Sequence, residues 1–204
     1  MKISLIVEGG TEKAFLPFLR DYLAPLLQGR MPKFDMLPYH GPIPKKEKLK
    51  RVVTCLLSGN KASDHVIALT DVYTGSTPPE FENAADAKAK MRLWVGPEPR
   101  FHPHAAQYEF EAWLLPYWRT IQKLSGSKKA RPAGSPENVN HQNPPAKRIQ
   151  KTFELGKRRR SYNKIRDARR ILSENELDEA VRHCPELKAL INTILTICEA
   201  EPLR

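Results

Sequence analysis

The chain has 204 residues and is 40% hydrophobic, enough for one domain with a real core or one domain with an appendage, and it holds no apolar run near membrane length. Its formal net charge is +11, yet residues 121–170 carry 15 Lys and Arg against only Glu137, Glu154 and Asp167, so the rest is close to neutral. That segregation argues against membrane insertion and suits a polyanion, most simply nucleic acid; it also fits a solubilising basic surface or a face that meets an acidic protein.

Met1-Lys2 leads directly into folded sequence with no signal peptide, the mark of a cytoplasmic protein. Ile3, Leu5, Ile6 and Val7 form the short apolar run of a buried parallel strand. It runs into Glu8-Gly9-Gly10, whose glycines permit a sharp strand-to-helix turn, and then Thr11-Glu12 open an amphipathic helix. Thr11 is placed to cap that helix, and Glu12 lies where the helix dipole favours an anion. Glu8 is thereby held at the carboxyl end of a central strand, where ligands gather in open α/β sheets. The same residues also fit a plain turn with a solvated glutamate.

The first helix ends near Leu27, before Gly29, and Phe34 to Tyr39 reads as a second strand closed by His40-Gly41-Pro42. Lys45 to Leu57 is a helix with one apolar and one basic face. Val66 to Leu69 is another buried run, and it ends at Thr70-Asp71-Val72-Tyr73. If the two strands are parallel neighbours, Glu8 and Asp71 come close together, and paired carboxylates suit a hard cation such as Mg²⁺. Asp71 would otherwise cap the polar, proline-rich loop 74–79. Asn83 to Met91 is helical, and Arg100 to Ala105 is a strand whose His102 and His104 point to one side, a weak metal signal that competes with ordinary hydrogen bonding.

Gln107 to Leu115 is apolar yet keeps Glu109 and Glu111, which on a helix lie about 200° apart and cannot both face one site. Residues 125–146 form a long polar loop containing Ser135-Pro136-Glu137-Asn138-Val139-Asn140. Lys147 and Arg148 then open a helix to Leu155, followed by Lys157-Arg158-Arg159-Arg160 and Lys164. Basic residues at a helix start oppose the dipole and favour a phosphate or carboxylate beside them, with salt bridges to Glu137 or Glu154 as the plain alternative. The last third is helical: Ser173–Glu176 resembles a capping box before Leu177–His183, and Pro185 opens a terminal helix with a buried stripe from Leu187 to Cys198. Cys55, Cys184 and Cys198 lack metal-ligand spacing and read as reduced, buried thiols.

Glu8-Gly9-Gly10-Thr11-Glu12, followed by a strand ending at Asp71, resembles the Toprim domain of topoisomerases, primases and OLD-type nucleases. The combination EGGTE, TDVY, YEFEAWL, SPENVN, PPAKR, YNK and RHCP is similar to the DUF4276 family of bacterial proteins across nearly the whole chain. The resemblance implies an α/β fold: a mostly parallel Toprim-like sheet flanked by helices over 1–120, with a basic loop and helical extension over 121–204. It implies Glu8 as general acid/base and Mg²⁺ or Mn²⁺ held by strand-end acids, positions that Glu8 and Asp71 match, with Gly9, Gly10, Thr11 and Glu12 in support; Glu109 and Glu111 are the local candidates to complete the acidic cluster. Lys147 and Lys164 would pin phosphates near the reaction, and Arg148, Arg158, Arg159, Arg160 and Lys164 would hold a nucleic-acid backbone. The Toprim-like group that accompanies ATPases in phage-defence loci implies an ATPase partner. One departure stands out: the Toprim DxD is here Asp71-Val72-Tyr73, with the second acid missing. The expected activity is therefore a metal-dependent nuclease, and its alternative a non-catalytic module that binds nucleic acid or docks on a partner.

Overall fold

The computed structural model describes residues 1–139, 143–157 and 159–204. Arg158 and Asn140 of the loop motif lie outside the described residues. The apolar runs form four strands: β1 (Lys2–Val7), β2 (Lys33–Pro38), β3 (His65–Asp71) and β4 (Phe101–Ala106). All pair in parallel, in the order β2-β1-β3-β4. Helices α1 (Gly10–Leu27), α2 (Glu47–Leu56) and α3 (Ala84–Val95) make the crossovers between them.

Alternation along the strands feeds two cores. Ile3, Leu5, Val7, Ile67 and Leu69 share one core with α1 and with residues of the last third, including Ile149, Ile171 and Ile191. Ile6, Val66, Ala68 and Phe101 point the other way, onto Leu49 and Val53 of α2 and Met91 and Val95 of α3. Near-continuous apolar strands are what a parallel sheet covered on both faces requires. After β4 comes a 3-10 helix (Phe110–Tyr117), then α4 (Trp118–Ser125), a 3-10 turn (Pro136–Asn138), α5 (Pro145–Leu155), α6 (Lys164–Ser173), α7 (Leu177–His183) and α8 (Pro185–Ile197). Among the described residues no helix is long and apolar enough to cross a membrane.

Four local expectations are corrected. Thr11 lies inside α1, which starts one residue earlier; Gly9 is the N-cap and Glu12 reaches back to accept its N–H at 3.1 Å. Neither Gly9 nor Gly10 has a left-handed backbone, so the turn needs no glycine for its dihedrals. Gly10 leaves room instead: a Cβ there would stand 2.5 Å from Cδ1 of Ile165 of α6, the end of a half-exposed side chain. Ser173 does not cap α7, since its hydroxyl turns back to the Arg170 carbonyl. Cys55 is exposed, whereas Cys184 and Cys198 are buried.

Candidate acidic site at the carboxyl ends of the first and third strands

The topology fixes where the site lies. The chain steps outward from β1 to β2, then passes back over β1 to reach β3, so the winding reverses between β1 and β3. The crevice outside the strand ends at such a reversal is the ligand position of an open α/β sheet. Glu8 and Asp71 are the residues delivered there.

Glu8 Oε1 accepts from the Thr70 hydroxyl at 2.5 Å and from the Asp71 N–H at 2.9 Å. Asp71 Oδ1 in turn accepts from the Phe110 N–H at 2.9 Å, which ties the start of the 3-10 helix to the end of β3. Tyr108, just before, has φ +69, a left-handed backbone rare for an aromatic residue, and its carbonyl accepts from the Tyr73 N–H. That turn sends Glu109 and Glu111 to different partners. Glu109 accepts the Ala146 N–H at 2.9 Å, so the anion expected at the start of α5 is its carboxylate. Glu111 is 1% exposed and faces Lys164 Nζ at 3.3 Å; its Oε1 has no hydrogen-bond partner among the described residues.

Lys164 is the cation of the site. It opens α6, packed against α1, and the negative charges of Glu111, Glu109 and Asp71 outweigh its partial burial and raise its pKa. One lysine does not balance the acids. Burial raises the pKa of Asp71 well above its usual value, and the neighbouring charges of Glu8, Glu12 and Glu111 push it further. Burial raises Glu8 and Glu12 as well, and holds Glu111 up to about 7 against the pull of Lys164. A cluster of carboxylate oxygens that resists ionisation for want of positive charge, with Glu111 Oε1 held by the Lys164 ammonium through charge alone, fits a hard divalent cation chemically. Among the described residues no three of His, Cys, Asp and Glu are arranged to hold a metal together. The fit therefore rests on oxygen donors and charge, in the manner of Mg²⁺, which keeps waters and takes one or two carboxylates.

The remaining expected residues divide. Lys147 is exposed on α5, and Arg148 is half-buried with its Nε donating to the Asn143 carbonyl at 2.8 Å. Arg159 is exposed with φ +40. Arg160 is not a free cation: it forks onto the fully buried Asp167 at 2.7 and 3.0 Å and lies over the Phe153 ring. The histidine pair is split, because His102 meets His65 of β3 at 3.1 Å while His104 meets Thr193 of α8 at 3.0 Å. Glu137 forms no salt bridge with the start of α5; it is buried and accepts the Trp113 indole N–H at 3.0 Å and the Glu186 N–H. Two contributors escaped the sequence reading. Thr70 positions Glu8, and a polar residue directly before a strand-end acid is its only sequence signal. Lys45 pairs with Glu80 and adds positive charge near Glu8, which its place on a basic helix face had concealed.

The family model described as "Domain of unknown function (DUF4276)" matches residues 7–195. Among solved structures, the C-terminal region of the Burkholderia pseudomallei OLD protein is similar, with a TM-score of 0.54 and 15% identity over 96% of this chain and 98% of that one. The C-terminal region of the Xanthomonas campestris pv. campestris OLD protein aligns over 97% of each chain, with a TM-score of 0.42 and 12% identity. No curated protein matches the chain.

Proposed function

The chain belongs to the DUF4276 family, and we propose that its acidic site is that of a metal-dependent nucleic-acid phosphodiesterase. The observation that carries the reading is the hydrogen-bonded pair of Glu8 and Asp71 at the reversal point of a parallel sheet, within the field of the lysine of α6 that Glu111 holds. A fold shared with an OLD C-terminal region supports it at the level of architecture.

Glu8 and Asp71 would hold Mg²⁺ or Mn²⁺, which when bound polarises a phosphodiester and lowers the pKa of a water, while Glu111 and Glu109 add negative charge around Lys164. Glu8 is the residue to exchange a proton: Thr70 and the Asp71 N–H fix its Oε1, and its raised pKa lies nearer the working range of a general acid or base. Lys164 sets charge against the phosphate as negative charge builds, and Glu111 keeps it in place. Lys147, Arg148 and Arg159 are the cations to hold the backbone of the polymer without reading its sequence. Arg160 serves the fold instead. The neighbour is by its description one region of a longer protein, which supports a further partner for this chain; an ATPase partner and a part in phage defence extend the same reading.

A second reading has its own observation. Tyr73 stands where a DxD motif has its second acid, and no three-residue metal cluster is formed among the described residues, as a non-catalytic binding module would allow. Cleavage of plasmid, linear and single-stranded DNA and of RNA, with Mg²⁺ and then Mn²⁺, separates the two. We expect cleavage by the wild type, and a loss of at least a hundredfold in Glu8→Gln and Asp71→Asn. Salt-sensitive binding without cleavage would establish the module instead.

A further inference from the structure

A second concavity lies at the other end of α1. From Gly10 at the acidic site to Tyr22 is about 18 Å along the helix at 1.5 Å per residue, so the two regions are separate. The concavity is a groove of about 590 Å³ between the last turns of α1 and the junction of α6 and α7. Its floor is apolar, with Phe18, Tyr22 and Leu26 of α1 and Leu203 from the end of the chain, all half-buried. Its rim carries three exposed carboxylates, Asp21, Glu176 and Asp178, and among the described residues no lysine, arginine or histidine lines it. The rim thus sets an acidic face apart from the basic stretch 121–170.

The backbone adds to it. Pro25 brings no N–H, so the carbonyl of Asp21 has no donor at its α-helical position. The last turn of α1 has no basic residue of its own, and Arg30 just beyond it is engaged on the Leu27 carbonyl and does not line the groove. Tyr22 feels the Asp178 carboxylate directly, and Arg182, one turn further along α7, is the nearest opposing charge it feels. The groove thus offers hydrogen-bond acceptors and negative charge above an apolar floor. The matching ligand has cationic donors and apolar side chains in one short stretch.

We infer that this groove is a docking site for a peptide segment of another protein in which arginine or lysine alternates with leucine-like side chains. The apolar side chains occupy the floor, and a guanidinium or ammonium meets Asp21, Glu176 and Asp178. The binding does not depend on phosphodiesterase chemistry, so it stands or falls apart from the function proposed above.

The test is fluorescence anisotropy with the full chain and a labelled twelve-residue peptide of alternating leucine and arginine. A control peptide carries glutamate for each arginine. The expected result is binding of the arginine peptide alone, weakening as salt is raised. It should drop at least tenfold in the double variant Asp21→Arg, Asp178→Arg, and in the gentler triple variant Asp21→Asn, Glu176→Gln, Asp178→Asn. Glu8→Gln should leave it unchanged, which excludes capture by the acidic site. Equal binding of both peptides, no binding at all, indifference to both groove variants, or loss in Glu8→Gln would each overturn the inference.

Discussion

Glu111 shows how one side chain ties stability to chemistry. Burial holds its carboxyl up to about 7, against an ordinary value of 4.5, even with Lys164 beside it. The folded chain therefore binds that proton more tightly than the unfolded chain. Its contribution is fully present below about pH 4.5 and is lost as pH rises through about 7, a change on the order of 3 kcal/mol from this residue alone. In a metal-free buffer the midpoint of thermal unfolding of wild type should fall relative to Glu111→Gln across that window. Parallel curves for the two proteins would show that Glu111 is not strained. Excess Mg²⁺ should raise the midpoint more at pH 8 than at pH 5, because the cation needs the ionised carboxylates. The sequence made Glu109 and Glu111 legible as candidates, but their division of labour depends on the left-handed backbone at Tyr108, which has no signature in the residue type.

Elements, by contrast, were mostly readable. The inner strands β1 and β3 declare themselves as apolar runs, because burial on both sheet faces leaves few polar positions, and α8 by its stripe from Leu187 onward; the edge strand β2, with exposed Lys33 and Asp35, is less marked. What escaped was contact between elements distant in sequence. The pair Gly9-Gly10 suggested a special turn, whereas the structure uses Gly10 to let α6 approach α1 through Ile165. Gly10→Ala should cost about 1 kcal/mol, at the low end of overpacking, because the atom it meets is the end of the half-exposed Ile165 side chain. In the Ile165→Ala background the same change should cost much less, so a double-mutant cycle by urea unfolding should give a coupling of about 1 kcal/mol. Additive costs would mean that the glycine serves the backbone instead.

At the scale of the molecule the excess of positive charge located a basic region without revealing which cations are spoken for. Asp167 is the reason: fully buried, it takes the fork of Arg160 and a second guanidinium from Arg166. Burial alone would raise its pKa, but Arg160, Arg166 and the Asn163 N–H hold it down at about 2. Substituting exposed Lys147 or Arg159 by alanine should weaken nucleic-acid binding and flatten its dependence on log salt by about one unit per contact. Arg160→Ala should instead lower stability by about 3 kcal/mol, since it strips a buried carboxylate of its main partner. An unchanged unfolding midpoint with a flattened salt slope would restore Arg160 to the binding surface. Lys164 has one more consequence. It lies 53 residues after Glu111, so at 5–20 residues per second a ribosome needs about 3–10 seconds more to supply it. Through that interval Glu111 has no ammonium to pair with, and the nascent chain carries an incomplete centre while it is still beside the messenger RNA.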